Sequence, residues 1–442
     1  MKKPAAAILE KVRTSLFSDS LQNTYKLNPS DFSRRRKQSF PGTIVFMINL
    51  VRKSLVIEIE NFVSYCNVFC PDPNIKLFTK SAFVQYRKKV SSKVFKHLSD
   101  VLLYEFYTDN DQSVKLWNGY RLLAVDGSRL TLPKTKELAS FYGVTKNQSG
   151  SGSVQARVSI LYDVLNNYVI DGQLSPLKTG EGKLAVKHLG KCRPNDLIIY
   201  DRGYPGFPLI YELNKLGVDF VIRVKVSFNN LIESFVESGA NSKTVEISPG
   251  KKQSFIGLPY TKKSKIKVRL VRVDLGNGKF EILITSLLEE STYSYEIFKG
   301  LYFKRWGVET FYDELKNKLK VEHFSGYSKQ IIEQDFEASL FISNVQSLIV
   351  GELNDEIKTQ SAKKNKKYEY KINTALSYGI LRNNIISIFL DPKESENMVD
   401  ELKKIFKKYL IPVRPHRKFE RNTEKYKRAL KPKITKNQKD AF

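Results

Sequence analysis

Two hydrophobic periods divide the chain. Up to about residue 115, apolar positions recur every three or four residues, as over 43–63 and 82–107, with Lys and Arg filling the spaces between them. That spacing predicts amphipathic helices. From about 116 the pattern changes to short apolar runs closed by polar turns. Leu122-Leu123-Ala124-Val125 runs into Asp126-Gly127-Ser128, and Leu197-Ile198-Ile199-Tyr200 runs into Asp201-Arg202-Gly203-Tyr204. Each predicts a buried strand that stops at a carboxylate and a turn. Residues 159–163 and 168–172, separated by Asn166-Asn167, read as a hairpin; 179–189 and 207–216 read as helices and 220–224 as a further strand. Strands mixed with helices in this order predict an α/β layer around a central mixed sheet.

The scheme is interrupted between 225 and 290. Runs at 245–247, 266–273 and 280–285 are rich in β-branched residues, and Gly276-Asn277-Gly278 marks a turn between the last two. This stretch predicts an all-β insertion. Helical spacing returns at about 293 and continues, with breaks, to 410, after which Pro412-Val413-Arg414-Pro415 opens a basic, extended tail. The expected division is a helical N-terminal region (1–115), an α/β core in two parts (116–224 and 291–358) separated by the β insertion (225–290), and a helical, basic C-terminal region (359–442).

Composition narrows the partner. Lys and Arg number 74 against 46 Asp and Glu, a net +28 over 442 residues, while 41% hydrophobic and 12% aromatic residues suffice for sizeable cores. An excess of this size points to a polyanion, nucleic acid first and an anionic membrane surface second, and away from an ordinary metabolic enzyme. Three cysteines exclude a disulfide framework. Cys66 and Cys70 have no second Cys or His pair nearby to close a zinc site, so free thiols are expected. The longest apolar run, 44–51, breaks at Arg52-Lys53 and is too short to span a bilayer. Met1-Lys2-Lys3-Pro4 leads into no secretory pattern. A soluble cytoplasmic protein is the expectation.

Two basic clusters stand out in the N-terminal region. One is Arg34-Arg35-Arg36-Lys37; the other, Arg87-Lys88-Lys89, falls on a helix that starts after Thr79-Lys80-Ser81. A hydroxyl there can cap the helix, aiming a positive N-terminus and a basic face at phosphates. Read alone, each cluster is equally a solvated surface. Further along, Tyr302, Arg305, Glu309 and Lys316 would fall within about 60° of one another on a continuous helix over 301–320. A salt-bridged surface helix accounts for that stripe as well as a site does. The two strand-ending aspartates shift the balance. On neighbouring strands Asp126 and Asp201 would lie side by side, and Glu309 from a helix packed on the sheet would complete three carboxylates. Three such groups repel one another unless a hard divalent cation neutralises them. Two cations about 3.5–4 Å apart would serve an in-line phosphodiester displacement.

At those residues the sequence resembles the bacterial DDE transposases of the IS-four insertion-sequence family. That family carries its third carboxylate in the helix signature Tyr-x2-Arg-x3-Glu-x6-Lys, which Tyr302, Arg305, Glu309 and Lys316 match at every spacing. Val125-Asp126-Gly127-Ser128 matches the first aspartate motif and Asp201-Arg202-Gly203-Tyr204 the second. Weaker likenesses at 81–87 and 412–415 extend the resemblance from about residue 30 to 430. The resemblance implies an RNase H-like catalytic core, with Asp126, Asp201 and Glu309 as catalytic, metal-binding residues for two Mg²⁺ ions that Mn²⁺ can replace. It implies that Tyr302, Arg305 and Lys316 contact the DNA end, and that the N-terminal region, including Arg34, Arg35, Arg36, Arg87 and Lys88, recognises the inverted repeat. It further implies cut-and-paste chemistry: hydrolysis at the transposon end, then attack of the 3′-hydroxyl on target double-stranded DNA. In the best-understood members this passes through a DNA hairpin, with a homodimer holding two ends in a synaptic complex. The partner is then DNA and no membrane, in the cytoplasm and at the nucleoid when bound.

One feature departs from the family. Well-known relatives stack a flipped base on a Trp of the β insertion, whereas the tryptophans here are Trp117 and Trp306. Phe280 and Tyr260 are the candidate substitutes, and both also read as core aromatics; Trp306 reads as packed under its helix. His188 and His323 lack ligand partners at useful spacing and read as polar core or surface groups. Two rival functions fit the composition. A catalytically inactive or domesticated DNA-binding protein predicts no metal-dependent nicking, and a stand-alone RNase H-like nuclease predicts cutting without end specificity.

Overall fold

The computed structural model describes residues 3–34, 37–49, 54–69, 77–108, 113–146, 152–250, 255–363, 368–391 and 395–414. Six helices come first: α1 (Ala5–Leu16), α2 (Asp19–Tyr25), α3 (Phe40–Ile48), α4 (Leu55–Phe69), α5 (Lys80–Arg87) and α6 (Lys93–Tyr107). Ser18, Ser39 and Thr79 cap α2, α3 and α5, each accepting from the backbone N–H three residues on. Thr79 is thus the cap the sequence offered. Both long helical stretches expected here are divided, 43–63 into α3 and α4 and 82–107 into α5 and α6. The second break has a visible cause. Lys89 O accepts from Leu27 N and Ser91 N donates to Tyr25 O, so the backbone between α5 and α6 pairs with the chain after α2 instead of with its own helix.

The middle of the chain alternates: β1 (Arg121–Thr131), α7 (Lys136–Tyr142), β2 (Val144–Lys146), β3 (Gly152–Asp163), β4 (Tyr168–Pro176), α8 (Glu181–His188), β5 (Asp196–Tyr200), α9 (Phe207–Lys215), β6 (Asp219–Val224), α10 (Asn230–Glu237), β7 (Ser242–Ile247), β8 (Ile266–Gly276) and β9 (Lys279–Thr285). Then follow α11 (Ile297–Phe303), α12 (Trp306–Asp313), a π-helical turn (Glu314–Lys318), α13 (Lys329–Lys363), β10 (Glu369–Ile372), α14 (Thr374–Leu390), α15 (Ser395–Lys408) and β11 (Leu410–Val413). Among the described residues no helix is long and apolar enough to cross a membrane.

The chain forms two compact units. The helical unit comprises residues 1–114, 131–155 and 314–442, and the sheet unit residues 115–130 and 156–313. In the helical unit α13 packs against α1, α3, α6, α14 and α15, so the N-terminal helices and those after 329 share one body. Leu410–Val413, which takes in the expected end of the helical stretch and the start of the expected tail at Pro412, pairs antiparallel with β10; residues 415–442 lie outside the described residues.

The sheet unit holds the mixed sheet. Its strands run in the order β3-β1-β5-β6-β9-β8-β7, and β4 and the short β2 each pair with β3. β3 and β4 are the expected antiparallel hairpin, and Val164 N donates to Leu122 O where β3 runs antiparallel to β1. β5 is parallel to β1 and β6 is parallel to β5. Three antiparallel strands followed by two parallel to the first make the RNase H-like arrangement. β5 is buried at all five positions, as a strand covered on both faces must be. Strands β7, β8 and β9 account for the β signal of 225–290. They extend the core sheet, since β9 pairs antiparallel with β6, and the two-turn helix α10 precedes them. α11 seals one face of the sheet with Phe298, Leu301 and Tyr302 against Leu122, Ile199, Val221 and Leu283.

His188 lies in this core, as a polar core group. Its Nδ1 stands 2.7 Å from Asp171 Oδ2 and its Nε2 2.9 Å from Ser159 Oγ. A carboxylate only accepts, so Nδ1 donates and Nε2 accepts from the serine. Ser159 and His188 are fully buried, which rules out Ser159 as a nucleophile for any outside substrate. The network ties β3 and β4 to the end of α8.

Candidate active site

The site begins with strand register. β1 and β5 pair in parallel from Arg121↔Asp196 to Val125↔Tyr200. Asp126 is the next residue on β1 and Asp201 the first after β5, so both leave the paired stretch at the same level, on strands about 4.8 Å apart in the hydrogen-bonding direction. The opening pair is locked by charge: Arg121 Nε donates to Asp196 Oδ1 at 2.7 Å and Nη2 to Oδ2 at 2.6 Å, both side chains buried. β1 does not stop at Asp126 as the sequence suggested. It runs on to Thr131, and what ends at this level is its partner β5, which opens the space beside Asp126. Asp201 begins a tight turn, its Oδ1 accepting from Gly203 N at 2.8 Å.

The third carboxylate arrives on α12. The continuous helix expected over 301–320 is instead three pieces: α11 ends at Phe303, α12 starts at Trp306, and the π turn begins at Glu314. Contacts with the sheet explain the placement of α12. A Cβ on Gly307 would lie 3.2 Å from Val164, so glycine permits the close approach to the β3–β4 turn. Phe311 stacks on Tyr162 at 4.9 Å, and Tyr312 OH donates to the backbone carbonyl of Asp126 at 2.9 Å. Glu309 is thereby brought to the aspartates, with Oε1 accepting from Arg305 Nη2 at 2.5 Å. The Arg305 guanidinium also lies over the rings of Tyr302 and Trp306. So Tyr302, Arg305 and Glu309 do converge despite the helix break. Lys316 is on the π turn, in the helical unit, and half-buried.

The electrostatics are those of a site short of positive charge. Burial pushes the Asp126 carboxyl up to about 6; the Gly127 N–H and Arg305 oppose that rise, and the charges of Asp201 and Glu309 add to it. Burial works against the charge on Arg305, yet its hydrogen bond to Glu309 holds it above the ordinary arginine value. Around this cluster the hydroxyls of Tyr204 and Tyr302 and the Nε of Arg305 are buried and have no hydrogen-bond partner among the described residues. Buried polar atoms of this kind each cost about 1–3 kcal/mol unless something joins them.

A stability prediction follows from Asp126. Its folded-state value lies above the ordinary carboxylate range, so the folded protein binds this proton more tightly than the unfolded chain. The associated stabilisation is complete below about pH 4 and is lost as pH rises through about 6. In chelator, Asp126→Asn is therefore expected to be more stable than wild type at pH 7.5, by on the order of 2–3 kcal/mol, with the gap closing at pH 4.5. Urea unfolding of both proteins at the two pH values measures this; a difference independent of pH would overturn it.

Residues 117–345 match the family model described as the transposase DDE domain. The chain belongs to this family. Among curated relatives, the transposase InsG of insertion sequence element IS4 from Escherichia coli (strain K12) is 22% identical over 294 residues, which cover 65% of this chain and 64% of that protein. The chain thus matches just under two thirds of that relative's length. Among solved structures, the cryo-EM synaptic complex of piggyBac transposase with hairpin DNA aligns over 98% of this chain and 82% of its own, at 12% identity and a TM-score of 0.39. A likeness that distant carries no argument about this DDE domain.

The other candidate residues of the sequence divide by burial. Arg34 and Lys88 are exposed, while Arg35 and Arg36 lie outside the described residues. Arg34 and Lys89, from the two N-terminal clusters, line one cleft of about 250 Å³ together with Phe32 and Tyr86. Arg87 must be corrected. It is 2% exposed, and its guanidinium donates to Gln334 Oε1 at 3.0 Å, Ser325 Oγ at 2.5 Å and Asp335 Oδ1 at 3.0 Å, so it is buried among protein partners and not on a surface that meets phosphates. Trp306 is also corrected, since it is 43% exposed and not packed beneath its helix. Tyr260 is buried among Phe207, Tyr211 and Phe255, whereas Phe280 is partly exposed with the Arg272 guanidinium 4.7 Å from its ring centre. Sequence reasoning overlooked Glu181 and Arg157, which form an ion pair next to the two aspartate segments. The available signal was Thr179-Gly180-Glu181-Gly182, a carboxylate between two glycines at a helix start.

Proposed function

We propose that the chain is a DNA transposase: it binds the ends of its insertion sequence, cleaves them by metal-dependent phosphodiester hydrolysis, and joins the freed 3′-hydroxyl to target DNA. The observation that carries this reading is the side-by-side departure of Asp126 and Asp201 from paired parallel strands, with Glu309 beside them, inside a transposase DDE domain.

Proteins of this family generally use divalent metal ions. Among the described residues no three His, Cys, Asp or Glu side chains are grouped to hold one, and Glu309 is held by Arg305. The donors nevertheless suit Mg²⁺: hard carboxylate oxygens, two of them on adjacent strands, with the like charge of its neighbours adding to the rise at Asp126. Gly203 lets the Asp201 carboxylate fold tightly onto its turn, because a Cβ there would come within 3.0 Å of Oδ1. Asp126, Asp201 and Glu309 would hold the ions. When bound, divalent cations supply charge neutralisation at the phosphate and an ionisable water.

The chain's own residues do the rest. Asp126 and Asp201 are kept at a common level by the β1–β5 ladder, so they need little reorganisation. Arg305, with its Nε unpaired, is placed to take a phosphate oxygen and release Glu309 to the cations. Tyr302 brings a buried hydroxyl without a partner, and Lys316 a further positive charge, to the DNA end. Arg34 and Lys88 hold the phosphate backbone of the end from the N-terminal region. Phe280, in contact with Arg272, is the aromatic ring exposed on the extended sheet that can stack an unpaired base, should the reaction pass through a hairpin. A homodimer would hold the two ends together.

The test is a labelled duplex carrying the element end, incubated with Mg²⁺ or with EDTA and resolved under denaturing conditions. Mg²⁺-dependent nicking at the end, followed by joining to added target DNA, is expected. Binding without nicking would favour the non-catalytic DNA-binding protein, and equal nicking of unrelated duplex the stand-alone nuclease.

A further inference from the structure

Glu181 occupies the first turn of α8. Its carboxylate reaches over both segments that present the aspartates. A Cβ on Gly127, within β1, would lie 3.3 Å from Glu181 Oε1, and one on Gly203, in the turn after β5, would lie 3.6 Å from Oε2. One oxygen therefore faces each segment. Neither glycine has a left-handed backbone, so what the absent side chains provide is room for this carboxylate. Arg157 on β3 forms an ion pair with Glu181 Oε1, and its other nitrogens reach Leu177 O at 3.4 Å. The Glu181 side chain is 39% exposed and the Arg157 side chain 17%, which leaves the carboxylate reachable by a small ion.

A second observation points to a ligand. The hydroxyl of Tyr204 is buried without a hydrogen-bond partner, in a residue only 4% exposed. Burial raises this phenol's pKa, and the carboxylates of Asp126, Glu181 and Asp201 each raise it further. The charges of three carboxylates thus bear on one unsatisfied polar atom, with Arg157 opposing them. A salt bridge that merely fastened α8 to β3 would need neither the two glycines nor this position.

We propose that Glu181 is a fourth carboxylate of the divalent-cation cluster, with Arg157 as the counter-charge that occupies it when no cation is bound. This rests on the transposase reading above. Glu181 is a positioning residue in that scheme: it adds negative charge at the rim of the Asp126–Asp201 pair, and Arg157 competes with the cation for it. Removing either partner should then shift cation affinity in opposite directions, whereas a purely structural tie predicts shifts of the same sign.

The experiment is Mn²⁺ titration calorimetry of the full chain without DNA, on wild type, Glu181→Gln, Arg157→Gln and Asp126→Asn, with thermal melts of each. Glu181→Gln is expected to weaken Mn²⁺ binding roughly tenfold, comparable to loss of an outer ligand, and Arg157→Gln to tighten it. Fe²⁺ with ascorbate and peroxide should cut the backbone near residue 181 as well as near 126 and 201. The proposal is overturned if both variants weaken binding alongside equal losses in melting temperature, or if cuts appear near 126 and 201 but not near 181. Those outcomes leave the transposase reading standing, provided Asp126→Asn reduces Mn²⁺ binding. Absence of Mn²⁺ binding in wild type would overturn both.

Discussion

Asp126→Asn is expected to reduce end cleavage by on the order of 10³-fold or more while leaving end binding within a few-fold of wild type. The substitution keeps the shape of the side chain and removes its charge, so it removes a cation ligand and little else. Loss of fold cannot account for the result. Asp126 is half-buried beside Asp201 and Glu309 with its carboxyl pushed up to about 6, so its ionised form costs stability at neutral pH and the amide relieves that cost. Activity and stability should therefore move in opposite directions in this one variant. Asp201→Asn should match it in activity. Glu309→Gln should also lose cleavage but, unlike Asp126→Asn, should not gain stability, because Arg305 would lose its charged partner. The exposed Asp313, four residues further along the same helix, provides the control, and Asp313→Asn should cleave at near wild-type rate. Single-turnover nicking with a parallel gel-shift assay measures all four. Near-wild-type nicking by Asp126→Asn or Asp201→Asn would end the assignment of the site.

Arg87→Met is expected to destabilise the protein by about 3–5 kcal/mol and to leave the salt dependence of DNA binding as it was. Arg87 joins α5 to α13, and its guanidinium is shared among Gln334, Ser325 and Asp335. Asp335 also accepts from Ser325 N, so the arginine completes a closed polar network within the helical unit. Removing it leaves a carboxylate with 20% side-chain exposure short of its cation. A phosphate contact would behave in the opposite way, with stability unchanged and a salt slope reduced by about one. Chemical unfolding and binding titrations across salt concentrations separate the two. Lys88→Ala, at an exposed neighbouring position, should show the phosphate-contact pattern.

Arg87 also shows where the sequence stops being informative. A basic run on a helix reads as a solvated or DNA-facing surface, and the partners that bury this arginine are some 247 residues away. Pairings over that separation leave no local trace. The strand-and-aspartate units were legible for the opposite reason. A buried strand is a short run of apolar residues, so 122–125 and 197–200 announce themselves; Tyr200-Asp201 also carries its own punctuation, whereas β1 runs through Asp126 to Thr131. The Tyr, Arg, Glu and Lys spacing was legible as a pattern, but the helix it suggested is broken at Lys304-Arg305. No proline marks that break, and Gly307 gains its meaning only from Val164 across the β3–β4 turn. Helix α10 was missed because its neighbours are β-rich. Glu181 went unnoticed because a carboxylate in the first turn of a helix is ordinary, and its distinction lies in the two glycines it faces, neither of them adjacent in sequence.

The Arg121–Asp196 ion pair joins the first residues of the β1–β5 ladder, and the two aspartates follow five residues later on each strand. The peptide repeat thus acts as a ruler with a keyed zero mark. Equal counts from a charged clasp deliver two carboxylates to one place, with no dependence on side-chain flexibility over the intervening apolar stretch. A parallel pair of smooth Leu, Ile and Val strands has little else to prevent it from slipping, and a slip by one residue would turn one aspartate to the opposite face of the sheet. The clasp sits at the far end of the strands from the chemistry and touches nothing that reacts. It is nevertheless where the spacing of the reacting groups is decided.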